Sequence, residues 1–247
     1  MSETRPRLYL LDVEGTIAPL TLTTEQLFPY ARTHLAEFLQ RKRDDEAVRA
    51  DLVLLAEENS GDTSGGIPRL GQVRDAAQVA TPRFRLDAMV YLMWLMDRDR
   101  KSTALKSLQG KIWKAGFENG ELEGTLFDDV PEAVRRWSSE ARVAIYSSGS
   151  VEAQKLFFRH SSHGDLTPLI SGYFDTHTGP KMESASYGAI AAAMNLVPDE
   201  VLFFSDSVHE LDAALAAGCG TRLVVREGNA PVADAHGHGV VESFGSL

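Results

Sequence analysis

The chain has 247 residues, 43% of them hydrophobic and 24% charged, with a formal net charge of −10, a balance that suits a soluble globular protein with one large domain or a core carrying a sizeable insertion. That charge argues against nucleic acid and anionic membrane surfaces as partners, because a phosphate backbone needs a basic footprint. A single cysteine, Cys219, excludes an internal disulfide and fits a reducing compartment.

The first residues carry no apolar signal segment, and the longest apolar run, 88–96, falls well short of the ~20 residues that cross a bilayer. A cytoplasmic protein is expected, and a monomer. In chain order, the run Leu8-Tyr9-Leu10-Leu11 reads as a strand buried on both faces, as in a parallel sheet. It opens onto Asp12-Val13-Glu14-Gly15-Thr16, at the strand end where such sheets bind ligands. Asp12 and Glu14 would repel each other there unless a cation or a proton intervenes. A solvated acidic turn is the plain alternative, and this stretch alone leaves both open.

After a connecting segment at 17–22, Thr23 or Thr24 can cap a helix through Leu27, Ala31, Leu35 and Leu39, with Pro29 in its first turns. A charged helix over 44–58, a loop over 59–68 and an apolar helix over 82–96 follow. The methionine and aromatic density around Trp94 reads as core. The charges of 97–113 read as a solvated face, although a Lys- and Thr-rich turn could also face a ligand; Asn119-Gly120 is a helix stop.

From about residue 126 helices and strands alternate. A helix over 130–139 precedes a strand over 143–146, and the loop Ser147-Ser148-Gly149-Ser150 opens a helix over 151–158. A further strand around 173–175 leads to Thr178-Gly179-Pro180-Lys181 and a helix with Tyr187, Ile190, Ala191 and Met194 on one face. A strand over 201–204 delivers Asp206, a helix packs Leu211 and Leu215, and a strand over 223–225 closes the sheet. Cys219, after Gly218, reads as a small buried hydrophobe, and His236-Gly237-His238 as a mobile terminus rather than a metal-binding pair.

This alternation predicts an α/β protein with a doubly wound parallel sheet over 1–20 and 125–247, and the nearly all-helical 21–124 as an inserted lid. The polar strand ends Asp12/Glu14, Ser147/Ser148 and Asp206, with Lys181 at a helix start, should meet along one sheet edge. Each has a bland reading alone: a turn acid, a helix cap, a solvated lysine. Together and in order they fit phosphoryl transfer. Carboxylates from separate strands hold a hard cation such as Mg2+, serine donors at a helix start suit an anion, and a lysine faces phosphate oxygens.

These segments resemble the haloacid-dehalogenase-like phosphatases and, more narrowly, the enolase-phosphatases of methionine salvage. The superfamily's opening Asp-x-Asp-x-Thr is Asp12-Val13-Glu14-Gly15-Thr16 here, and glutamate at the third position is the enolase-phosphatase pattern. Stretches 27–31, 99–106, 146–156, 173–176 and 181–184 also resemble that family.

The resemblance implies a haloacid-dehalogenase-like core with a helical cap and Asp12 as the nucleophile that becomes an aspartyl phosphate. It implies Mg2+ held by the Asp12 carboxylate, the Glu14 main-chain carbonyl and the Asp206 carboxylate, with Ser147, Ser148 and Lys181 on the phosphate. Glu210 matches an acid that orients a metal-bound water or Lys181, unless it is an exposed helix residue. The family enolises 2,3-diketo-5-methylthiopentyl 1-phosphate and dephosphorylates the enol to the acireductone 1,2-dihydroxy-3-keto-5-methylthiopentene. Glu14 is the candidate acid–base group, because the carbon that loses a proton carries the ester oxygen. The runner-up is a phosphatase of the same superfamily acting on phosphoglycolate or a sugar phosphate. The intact Asp12, Lys181 and Asp206 speak against a non-catalytic scaffold.

Overall fold

The computed structural model describes residues 5–73 and 77–246. The chain divides into two compact units, Met1–Leu22 with Gly120–Leu247, and Thr23–Asn119.

The first unit holds a six-stranded parallel sheet in the order β3-β2-β1-β4-β5-β6. Its strands are β1 (Leu8–Leu11), β2 (Arg142–Tyr146), β3 (Gly172–Phe174), β4 (Val201–Ser205), β5 (Gly220–Val224) and β6 (Gly239–Val241). The strand order reverses at β1, which pairs with β2 on one side and β4 on the other. The residues after β1 and β4 therefore flank the crevice where open α/β sheets bind ligands. Register brings Leu11 opposite Phe204, and the Asp12 amide continues the ladder onto the Phe204 carbonyl at 3.0 Å.

β1 shows why this sheet must be covered on both faces. Leu8 and Leu10 are buried in one cluster with Tyr187, Ile190, Phe203 and Leu211. On the opposite face Tyr9 stacks on Trp137 at 4.6 Å between ring centres, and Trp137 stacks on Phe204 at 5.4 Å. α5 (Val130–Glu140) covers that second face; α7 (Ser184–Ala193) and α8 (Val208–Ala216) cover the first, and α6 (Val151–Arg159) follows β2. Cys219 is buried, which pushes its thiol up to about 11, in line with a small hydrophobe.

The second unit contains α1 (Phe28–Arg41), α2 (Glu46–Gly61), α3 (Pro82–Met96) and α4 (Thr103–Glu118) around its own core, including Leu35, Leu55, Leu92, Leu108 and Ile112. α4 lies in the stretch whose charges suggested a solvated face. Leu105, Leu108 and Ile112 recur at helical spacing between its lysines and are buried. Its N-terminus is capped twice: the Ser102 hydroxyl accepts from the Leu105 amide at 3.0 Å, and the Glu58 carboxylate accepts from Thr103 at 2.9 Å. Among the described residues no helix is long and apolar enough to cross a membrane.

The C-terminal region departs from expectation. β5 does not close the sheet, because β6 pairs beyond it. Nor is 236–238 a loose end. His238 is buried, with Nδ1 2.8 Å from the Thr221 hydroxyl and Nε2 3.1 Å from the Asp212 carboxylate, while Nδ1 of His236 lies 2.9 Å from the same carboxylate. The buried Thr221 hydroxyl needs a polar partner, and this histidine supplies one.

Candidate active site

Asp12 leaves β1 and enters a turn whose shape depends on Gly15. That residue has φ +75°, and a Cβ there would stand 2.3 Å from the Asp206 carboxylate. Only glycine tolerates both the left-handed backbone and the close approach. Thr16 joins the two strand ends. Its hydroxyl accepts from the Asp206 amide at 3.0 Å and lies 3.5 Å from the Asp12 carboxylate. Glu14 is half-buried in the same turn.

Lys181 reaches this point from the loop before α7. Its ammonium contacts the Asp12 carboxylate and donates to Glu210 Oε2 at 2.8 Å; its side chain is only 11% exposed. The loop is fixed from behind by three hydroxyls on three successive carbonyls. Tyr146 donates to Gly179 at 2.8 Å, Ser186 to Pro180 at 2.7 Å and Tyr187 to Lys181 at 2.7 Å. Burial holds both tyrosines above their ordinary pKa, so they stay protonated and can donate. Glu210, read from the sequence as either a working acid or an exposed helix residue, is the second carboxylate on Lys181 and also accepts from the Ser205 hydroxyl at 3.0 Å.

Ser147 and Ser148 lie at the end of β2, the neighbour of β1. Ser147 is buried, its amide on the Phe174 carbonyl at 3.1 Å and its hydroxyl accepting from Gly149 at 3.2 Å; Ser148 is exposed. Gln154 braces this loop by donating to the Gly149 carbonyl at 2.8 Å and the Phe174 carbonyl at 2.9 Å, and Ser150 caps α6. Asp12, Lys181, Asp206 and Glu210 thus form one charged cluster, with the serine loop one strand away. Sequence reading did not find the hydroxyl clamp, since Tyr146 and Tyr187 look like core aromatics. Ser205, the last residue of β4 and one beyond the expected strand, carries no sequence signal of its contact with Glu210.

The cluster holds three carboxylates against one ammonium. Burial, reinforced by Asp12 and Glu210, pushes the Asp206 carboxyl up to about 7. Burial and the Asp12 charge raise Glu210 as well. Burial by itself would lower Lys181, but Asp12 and Glu210 outweigh it and hold the ammonium above its ordinary range. A site with this surplus of buried negative charge is short of a cation.

A haloacid dehalogenase-like hydrolase family model matches residues 6–218, a span that includes every member of this cluster. The chain is 50% identical over 224 residues to enolase-phosphatase E1 of Synechococcus elongatus, covering 90% of each chain. It is 42% identical over 223 residues to enolase-phosphatase E1 of Serratia proteamaculans, covering 90% of this chain and 89% of that one. The crystal structure of the UTR4 protein of Saccharomyces cerevisiae is similar with a TM-score of 0.77 and 33% identity, over 98% of this chain and all of the other. The chain belongs to the haloacid dehalogenase-like hydrolases and, within them, to the enolase-phosphatases.

Proposed function

We propose that this chain is a Mg2+-dependent enolase-phosphatase that enolises 2,3-diketo-5-methylthiopentyl 1-phosphate and then dephosphorylates the enol to the acireductone. The observation that carries the reading is the Asp12–Lys181–Glu210 cluster beside Asp206 at the sheet's reversal point. A carboxylate fixed by an ammonium there can act as a nucleophile whose target phosphate the same ammonium also attracts.

In this reading an Asp12 carboxylate oxygen attacks phosphorus, the bond from phosphorus to the ester oxygen breaks, and that oxygen takes a proton. A water molecule then attacks the aspartyl phosphate, releasing inorganic phosphate and restoring Asp12. Lys181 offsets charge on the phosphoryl oxygens, and Ser147 and Ser148 donate hydrogen bonds that hold the group in line. Glu14 moves the proton, and the C–H lost in enolisation sits on the carbon that bears the same ester oxygen. The cluster fits a divalent cation by its charge. The Asp12 and Asp206 carboxylates and the Glu14 main-chain carbonyl would hold it, with solvent oxygens completing a set that suits Mg2+. When bound, Mg2+ would supply Lewis-acid neutralisation of phosphate charge.

The helical unit Thr23–Asn119, inserted directly after the catalytic turn, is read as the cap that selects the substrate. The protein is read as a cytoplasmic monomer with a small phosphorylated substrate, in keeping with its acidity and its single buried thiol. The test is to incubate the protein with the diketone phosphate and Mg2+ while following enol absorbance and free phosphate together. Both signals are expected. Phosphate from phosphoglycolate or a sugar phosphate, with none from the diketone, would favour the other substrate class instead.

The cation assignment has an independent consequence for stability. Asp206 is raised to about 7 in the folded chain, against about 4 unfolded. Folding therefore favours its protonated form, and stability from this group falls as pH rises from about 4 to about 7. A cation that binds the ionised form reverses the loss. Added Mg2+ should raise the melting temperature more at pH 8 than at pH 5; an equal or smaller rise at pH 8 removes Asp206 from the cation site.

A further inference from the structure

The stretch Val225-Arg226-Glu227-Gly228-Asn229 lies past residue 218, where the family match ends, and two of its side chains hold the catalytic turn. Arg226 donates through Nε to the Thr16 carbonyl at 3.1 Å. Asn229 donates through Nδ2 to the Gly15 carbonyl at 2.8 Å. Gly15 and Thr16 are the residues that fit against Asp206, the first by close approach to its carboxylate and the second by accepting from its amide.

Arg226 is itself rigidly built in. Its side chain is 6% exposed and its guanidinium lies 4.7 Å from the Phe127 ring centre and 4.6 Å from that of Phe244. Nη1 donates to the Asp129 carboxylate at 2.9 Å and to the Glu242 carbonyl at 3.1 Å. Asp129 in turn accepts from the Ser243 hydroxyl at 2.9 Å and the Phe244 amide at 2.6 Å. That network would explain Arg226 as a fastener for the C-terminal segment and nothing more. Asn229 is different. It sits in a tight turn between exposed residues, and its side chain reaches out of that turn to the Gly15 carbonyl.

We infer that Arg226 and Asn229 are positioning residues: by taking the carbonyls of Thr16 and Gly15 they keep the turn after Asp12 in the shape that sets Asp12 and Asp206 side by side. The inference rests on the proposed roles of Asp12 as nucleophile and Asp206 as its partner at the cation. Two adjacent carbonyls fixed by separate donors leave that turn little freedom to rotate, so loosening one should misplace the carboxylates without removing any group that touches substrate.

Asn229→Ala removes one donor from a half-buried turn residue flanked by the exposed Gly228 and Ala230, where the fold should survive. Ser243→Ala is the comparison, because it removes a bond to Asp129 in the same network without touching the turn. A misplacement of about 1 Å can cost on the order of 10²-fold, so Asn229→Ala should lose about 10- to 100-fold in kcat with KM within about twofold, the split of a group that acts in the transition state. Its Mg2+ affinity by calorimetry should also weaken several-fold, while Ser243→Ala, with a similar drop in melting temperature, keeps both. Arg226→Lys should fall with Asn229→Ala, since a lysine at 226 cannot span Asp129 and Thr16 together. Wild-type kcat and Mg2+ affinity in Asn229→Ala, or equal losses in Ser243→Ala, would overturn the inference. Should the wild type release no phosphate from the diketone, the substrate reading fails instead, and the clamp is still judged by Mg2+ affinity in the same variants.

Discussion

Asp12→Asn should abolish phosphate release while leaving a folded protein. The amide keeps the volume of the carboxylate but loses the charged oxygen that attacks phosphorus. Removing the nucleophile of a covalent pathway costs on the order of 10⁴-fold or more. Folding should not suffer, because the cluster carries three carboxylates against one ammonium and Asp206 is already pushed up to about 7 by burial and by Asp12. Taking away the Asp12 charge relieves that repulsion. The metal-free variant should therefore melt no lower than the metal-free wild type at pH 8, which separates a chemical defect from a folding one. Quenching the wild type during turnover with labelled substrate should leave label on Asp12 and on no serine. A variant that turns over near the wild-type rate, or label on Ser147 or Ser148, would remove Asp12 from the nucleophile's place.

The parts of this molecule that sequence made legible are those where one physical demand dominates. β1, β2 and β4 are short apolar runs because both faces of a parallel sheet are covered, and each ends in a polar loop because that edge is open. Asp12, the serine pair and Asp206 stand out as candidates because they recur in order along that edge, each being ambiguous alone. What stayed hidden answers to two demands at once. In α4, Lys106, Ser107 and Lys111 stand between the buried Leu105, Leu108 and Ile112, so its charges mask its apolar stripe. β5 carries Thr221 and Arg222 among its five residues, and the Thr221 hydroxyl is balanced by His238 seventeen positions on, a pairing with no local signature. Tyr146 and Tyr187 are core by their rings and loop clamps by their hydroxyls. Arg226 and Asn229 look like a solvated turn because the carbonyls they hold lie more than two hundred residues upstream. The reversal of strand order at β1, which brings Asp12 beside Asp206, depends on topology rather than periodicity.

Lys181→Met should inactivate the enzyme and also destabilise it. The side chain is 11% exposed and serves Asp12 and Glu210 together, themselves 10% and 17% exposed. Removing one partner of a buried ion pair typically costs about 3 to 5 kcal/mol, because the charge left behind has no compensation. Loss of a charged donor aimed at a developing anion typically costs about 10²- to 10³-fold in rate. With the ammonium gone, burial and the neighbouring Asp12 charge raise the Glu210 carboxyl further. Groups raised in the folded state lose stability as pH rises through their titration, so the variant's deficit should be larger at pH 8 than at pH 5. The double variant Lys181→Met/Glu210→Gln separates the two effects. It removes one charge of each sign, returns the cluster to the wild-type balance, and should recover much of the melting temperature and most of its pH dependence. It should not recover turnover, because Asp12 still lacks its ammonium and the phosphoryl oxygens lack their countercharge. Restored activity in the double variant would mean that Lys181 only offsets Glu210 and takes no part in handling phosphate.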